Sequence, residues 1–432
     1  MTLLDLFSST RSLPTARLDT ALWPRDSHYD ESGRMVVGGV VLADIAERYG
    51  TATMVLDEHE VRCRCRAYRK AFPETEIVYA GQALLVRAVV DWVTDEGLSV
   101  AVYSSDELDV ALAAGIDPKR IIMHGNGESF DALVTAVDCG VGRVVAGSLA
   151  EITLLAAVAT HPQRVLLRLS ADLDVDAQPT DMARLPNFPI GAAAAAAVEQ
   201  VLSKPMLDLI GFHCQVGSQI HNPDHYGEAV RRMVAEMAQV RHDHSRILSD
   251  LDLGGGHAVA YRRGDAEMNL TELAAILEDA LDAACARQRF PRPNIALEPG
   301  RGIVARAGVT LLRVCSVKHH DGGHACVIVD SDARAGTRPA ALTGMLPANR
   351  QAAGSHRAAT VASRAGNDIL ATDIRLPADL RPGDLLAVPC SGAYQHGPAL
   401  SDTGRLPVIA VDSGRCVELV RREPDMLDRD AG

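Results

Sequence analysis

The chain has 432 residues, of which 47% are hydrophobic and 23% charged, and its formal net charge is −13. That length holds about two to three ordinary domains, or one large barrel with a smaller partner, and the acidic balance gives nucleic-acid or anionic-membrane binding no electrostatic support. Without a run of about 18 apolar residues or a basic-then-apolar start, and with nine scattered cysteines that suit no disulfide framework, we expect a cytoplasmic protein.

In chain order, residues 1–47 carry a strand-like run, RMVVGGV, and are expected to pack with a β module at the other end of the chain. From about Thr51 to Val304 short β-rich runs alternate with longer helical ones. ATMVLD reads as a strand and EHEVRCRCRAYRKAF as a helix; EIVYA and ALLVRAVVDWVTDEG repeat the pair. LSVAVYS, RIIMHG, RVVAGS, RVLLRLS, LDLIGFHCQVG, ILSDLDLGGG and NIALEPGRG continue the pattern. Such alternation means βαβ units and a parallel sheet, and its length fits a closed (β/α)8 barrel over 48–308 better than an open doubly wound sheet. The alanine run at 192–197 opens a helix, alanine being the best helix former. Residues 309–432 change to period-2 alternation in LLRVCSVKHH, ATVASR, ATDIRLP, GDLLAVPCSGAY and LPVIAVDSGRCVELV, which reads as an all-β sandwich or barrel.

In a (β/α) barrel, chemistry sits at the C-terminal ends of the strands. Four segments there and in the β module stand out. Gly254-Gly255-Gly256 follows a strand and offers bare backbone N–H groups, suited to a phosphate or simply to a tight turn. Glu298-Pro299-Gly300-Arg301 carries a glutamate and an arginine, which a plain ion pair would also explain. His213 to Gln219 follows LDLIGF, and Ser391 to Tyr394 lies in the β module.

Together, in this order and spacing, these segments resemble the diaminopimelate/ornithine decarboxylase family, pyridoxal-phosphate enzymes with an alanine-racemase-like barrel. The likeness is nearest to the diaminopimelate branch and covers almost the whole chain; HGNGES, VGRVV, VGSQI, DLGGG, EPGRG and RPGD all lie where that family has its motifs. The resemblance implies that Ser218, Gly254, Gly255, Gly256 and Arg301 bind the cofactor phosphate, with Tyr394 reaching it from the β domain. It implies that Glu298 pairs with the pyridine nitrogen and keeps it protonated, and that Arg338 binds a substrate carboxylate by its planar fork. It also implies a homodimer whose sites are completed across the interface.

The departures from that pattern concern the same chemistry. The family's Schiff-base lysine falls on Gln82, and a carboxamide forms no imine. Of 43 basic residues only four are lysine, namely Lys70, Lys119, Lys204 and Lys318, and none sits where it could stand in. The histidine that stacks on the cofactor ring falls on Gln215. The cysteine-glutamate pair lent by the second subunit falls on Arg364 and Ala365. An aspartate near the lysine becomes Ala101, a glycine pair becomes Ser331-Asp332, and a K-F-G motif becomes Asn187-Phe188-Pro189.

We expect no metal. Cys63 and Cys65 are two apart on a helix and face different ways, and His319, His320 and His324 lack a supporting ligand set. The functional expectation is a diaminopimelate-decarboxylase-like protein that is not a conventional decarboxylase. It would bind a phosphate- or carboxylate-bearing small molecule, with pyridoxal phosphate held non-covalently or not at all. A role as accessory protein beside a pathway enzyme in specialised biosynthesis would suit this. The alternative is a repurposed lyase using the same pocket.

Overall fold

The computed structural model describes residues 17–125, 130–171, 173, 187–320, 323–330, 339–352, 354–364, 368–394 and 406–421. Eight parallel strands form a closed barrel: Glu76–Ala80, Ser99–Val102, Ile121–Gly125, Arg143–Ala146, Gln163–Ser170, Leu207–Cys214, Asp250–Asp252 and Asn294–Leu297. Closure comes from the last strand pairing with the first, Ala296 opposite Glu76 and Leu297 opposite Ile77. Side chains of a strand alternate between faces, and the barrel sorts its apolar residues accordingly. Val78, Ala80, Ala101, Ile122, Val145, Leu166, Ile210 and Ala296 fill the interior, whereas Ile77, Tyr79, Val100, Val102 and Met123 pack outward against the helices.

Two of those helices begin with the same device. Ser104 and Ser148 cap the helices Ser105–Ala113 and Leu149–Val158 by accepting from the N–H of Glu107 and Glu151. Each glutamate reaches back past the cap, to the N–H of Tyr103 and of Gly147, both at 2.7 Å. This is a variant of the capping box, and it fixes the residue that leaves the preceding barrel strand.

The second sheet is built on Gly308–His319, which pairs antiparallel with Ala325–Val329, Leu385–Val388 and Thr53–Asp57. His356–Ser363, Ile369–Pro377, Val408–Asp412 and Arg415–Val420 extend it. Ser413 and Gly414, both at positive φ, make the two-residue hairpin between the last two strands, the backbone that matches strand twist.

Thr53–Asp57 corrects the expected strand list. ATMVLD reads as the opening strand of the barrel, yet it lies between Gly308–His319 and Val408–Asp412 in the second sheet. A fully buried strand followed by an amphipathic helix has the same sequence pattern in either sheet, so only pairing distinguishes them. The N-terminal segment adds three short strands, and Trp23, Met35, Leu42 and Ile45 share one apolar cluster with Val55, Val309, Leu385 and Ile409 of that sheet.

Glu60, in the helix Glu58–Ala71, binds these parts to one another. Its fully buried carboxylate accepts from Arg306 Nε at 2.8 Å and from the Arg25 N–H at 3.1 Å, and it pairs with both guanidinium groups. Its loss removes charge-assisted bonds of about 1.5–3 kcal/mol each from the two arginines, although Arg306 keeps Glu267 at 3.3 Å. Glu60→Ala is therefore expected to lower the urea midpoint of unfolding markedly, while Arg66→Ala, at an exposed pair with Glu96, leaves it nearly unchanged.

Candidate ligand site at the barrel mouth

The strand ends converge on a cavity lined by Ala80, Gln82, Tyr103, Gln215, Gly217, Ser218, Gly255, Gly256, His257, Glu298, Gly300, Arg301, Gly302 and Tyr394. Gln82 sits in the turn Gly81–Ala83 that leaves the first barrel strand. The turn is held from both sides: the Tyr79 hydroxyl donates to the Leu84 carbonyl at 2.6 Å, and the Tyr394 N–H to the Ala83 carbonyl at 2.7 Å. Tyr394 thereby docks the second sheet's domain onto the barrel rim.

One end of the cavity sets a buried arginine among uncharged polar groups. Arg301 is buried, and its guanidinium donates to Ser218 Oγ, to Gln219 Oε1 at 3.1 Å and weakly to the Tyr394 hydroxyl at 3.5 Å, with the Tyr394 ring beneath it at 5.0 Å. Every one of those acceptors is uncharged, and the buried Nε has no partner among the described residues. The glycine run lies alongside. A Cβ on Gly255 would stand 2.1 Å from the Glu298 carbonyl oxygen, and one on Gly256, where φ is +96°, 2.1 Å from the Gly217 carbonyl oxygen. Only glycine permits these approaches. The Gly255 N–H meets Gln215 Oε1 at 3.5 Å, the outer limit of a hydrogen bond, while Gln215 Nε2 donates to the Gly217 carbonyl at 2.7 Å.

The floor of the cavity is the Glu298 carboxylate. Its Oε1 accepts from His124 Nε2 at 2.9 Å and its Oε2 from the Tyr103 hydroxyl at 3.0 Å, with His213 Nε2 at 3.8 Å. Tyr103 stacks on His124 at 4.4 Å and His213 meets His124 edge-on at 5.0 Å. Burial opposes the Glu298 charge, but the adjacent imidazoles hold its carboxyl well below the usual range. Burial and the Glu298 charge push the Tyr103 phenol well above its ordinary 10, so it is a proton donor throughout the accessible pH range. Asp252 is pushed up by burial and by the same anion, and burial pushes His213 down.

Ser218, Gly254 to Gly256, Glu298, Arg301 and Tyr394 thus come together, and Gln82 and Gln215 join them at the wall. Arg364 does not: it is exposed, after the strand His356–Ser363, and is not part of the cavity wall. Arg338 lies outside the described residues, as do Ala365, Ser331 and Asp332. Phe188 and Pro189 form a short strand beside Leu169 and Ser170. Sequence reasoning gave no role to Tyr103, His124, His213 or His257, although all four lie on or just beyond barrel strands, where position alone marks them. It weighed a metal at His319, His320 and His324 and set it aside for want of a supporting ligand set. The structure instead gathers His124, His213 and Glu298, with ligand atoms within 4.8 Å of one another, and the His124–Glu298 contact is satisfied there as a hydrogen bond.

The donors at the Arg301 end match a phosphate group. For pyridoxal phosphate the aldehyde end lacks its partner: no lysine lines the cavity. Lys70, Lys119 and Lys318 are exposed, and Lys204 lies between a helix and the base of the sixth barrel strand.

The family profile of the pyridoxal-dependent decarboxylases, pyridoxal binding domain, matches residues 58–305. A diaminopimelate decarboxylase of Actinosynnema pretiosum subsp. auranticum is 41% identical over 444 residues, spanning 100% of both chains. The diaminopimelate decarboxylase of Mycobacterium tuberculosis is 32% identical, over 93% of this chain and 95% of its own. Among solved structures, diaminopimelate decarboxylase from M. jannaschii in complex with L-lysine superposes with a TM-score of 0.81 at 20% identity, covering 95% of this chain and 97% of that one, a likeness of fold.

His257 lines the cavity between the rings of Tyr68 and Tyr226, its Nδ1 3.0 Å from the Tyr68 hydroxyl. Burial, aided by the Arg64 charge, pushes its imidazole from 6.5 down to about 3. The unfolded chain therefore binds a proton that the folded one refuses, and stability present above pH 6.5 is lost as the pH falls toward about 3. In His257→Gln, urea midpoints should fall less steeply than in wild type across that window, while the two profiles run parallel above it.

Proposed function

The chain belongs to the pyridoxal-dependent decarboxylase family, and on that premise we propose that it binds a phosphate-bearing small molecule without acting as a conventional amino-acid decarboxylase. The observation that carries the reading is Arg301. A buried guanidinium surrounded by neutral oxygens is an unpaired charge in a low-dielectric site, and an anion entering beside it, with the Ser218 hydroxyl and the glycine backbone, supplies the missing partner.

Gln82 occupies the place of the family's lysine in this reading, so a cofactor aldehyde would be held through its phosphate and never covalently. The decarboxylation chemistry that the cofactor supplies in relatives is tied to that lysine, and no step through it is assigned to this chain. A binding or accessory role in a biosynthetic pathway follows most directly. A homodimer is part of the proposal: Arg364 is exposed at a strand end, outside the cavity of its own chain, and is free to approach the site of a second copy.

Three measurements test this. Calorimetry with inorganic phosphate and with pyridoxal phosphate should show binding to wild type, weakened about tenfold or more in Arg301→Ala, since a charge-assisted hydrogen bond contributes about 1.5–3 kcal/mol. Equal affinity in the two proteins rejects the anion site. Borohydride reduction in the presence of pyridoxal phosphate should leave every lysine of the barrel unmodified at stoichiometric level. Release of carbon dioxide from diaminopimelate, lysine, ornithine or arginine should stay at background, and multiple turnover of any of them would overturn the non-decarboxylating assignment.

A further inference from the structure

Glu298 is the cavity's one buried acidic floor group, and it is already occupied. Each of its oxygens accepts a hydrogen bond, from His124 Nε2 and from the Tyr103 hydroxyl, and His213 crowds the Tyr103 side at 3.8 Å. Of these three neighbours only Tyr103 also lines the cavity. It is therefore the group with which any ligand reaching for Glu298 must compete.

Tyr103 is not there by loose packing. Its N–H is pinned by Glu107, whose own N–H is capped by Ser104. Its ring is stacked on His124 with an interplanar angle of 19°. Both ends of the side chain are thus fixed, and the hydroxyl proton, on a phenol pushed well above 10 by burial and the adjacent anion, has one acceptor to serve.

We propose that Tyr103 is a specificity-determining residue that screens Glu298 from the ligand. A cationic ring N–H needs a carboxylate oxygen facing it; here Oε2 of Glu298 already accepts from a neutral O–H that belongs to the protein and lines the same cavity. The pocket consequently holds phosphate-bearing ligands by their anionic arm and draws little or no affinity from a basic ring nitrogen. This reverses the role that the family resemblance implies for Glu298, and it rests on the phosphate-binding reading of the Arg301 end.

The test isolates the nitrogen. Pyridoxal phosphate and 1-deazapyridoxal phosphate share every group except that the second has a ring C–H in place of the nitrogen. In wild type the two should bind within about threefold of each other. Tyr103→Phe keeps the stacked ring and removes only the hydroxyl, leaving Glu298 one donor short, and a buried acceptor in that state gains from any donor offered to it. Pyridoxal phosphate should then bind at least about tenfold more tightly than its deaza analogue, as a charged hydrogen bond of about 1.5 kcal/mol or more requires, while inorganic phosphate binds both proteins equally. A wild-type preference of tenfold or more for the nitrogen-bearing ligand overturns the inference without recourse to the variant. So does a Tyr103→Phe protein that binds the two analogues alike. Failure of inorganic phosphate and both analogues to bind wild type is a separate result, which rejects the anion site and removes the basis for this inference with it.

Discussion

A carboxylate buried inside a barrel has to be compensated where it stands, and much of the cavity's architecture follows from compensating Glu298. Taking such an ion out of water carries a penalty of several kcal/mol, too much for a fold to leave unanswered. The second, third and sixth barrel strands answer it together, through Tyr103, His124 and His213. The consequences spread outward. Burial, and after it the same charge, pushes the Asp252 carboxyl up, and Asp252 accepts from the Gly254 N–H at 2.9 Å. That bond lies at the start of the glycine run and ties it to the strand that carries Asp252.

The two ends are nonetheless independent in what they offer a ligand. At the Arg301 end the protein supplies a positive charge and withholds the matching negative one. At the Glu298 end it supplies the negative charge and satisfies it internally with a neutral hydroxyl. On the reading proposed above, a ligand is drawn by one end only. In a cavity whose two charged groups both awaited partners, a zwitterionic ring with an anionic arm would fit best; on that reading the arm is what counts.

The barrel and the β module were legible because each has a local signature. Strand–helix alternation gives the barrel and period-2 alternation the sheet, while Gly255, Gly256 and Arg301, singled out in the sequence, do line one cavity. Thr53–Asp57 was misplaced because sheet membership is a long-range property: its neighbours are Gly308–His319 and Val408–Asp412, more than 250 positions away in sequence. Tyr103 was passed over for a related reason. In LSVAVYS it reads as one more aromatic closing a buried strand, and nothing local reveals that its hydroxyl meets a glutamate 195 positions on. Gln215 was recognised as a departure, but its contacts with Gly217 and the glycine run became visible only in three dimensions.

Gln82 leaves a turn that is held from both sides. Tyr79 of the first barrel strand donates to the Leu84 carbonyl and the Tyr394 N–H, from the second sheet's domain, to the Ala83 carbonyl. An amine installed there would meet the Arg301 end unchanged. Tyr103 would still donate to Glu298, and Gln215 would still lie against the glycine run. Gln82, Tyr103 and Gln215 follow three different barrel strands and line one cavity. On the reading proposed above, a change at one of them leaves the other two in place, so a lysine put at Gln82 is not expected by itself to restore the chemistry of the family.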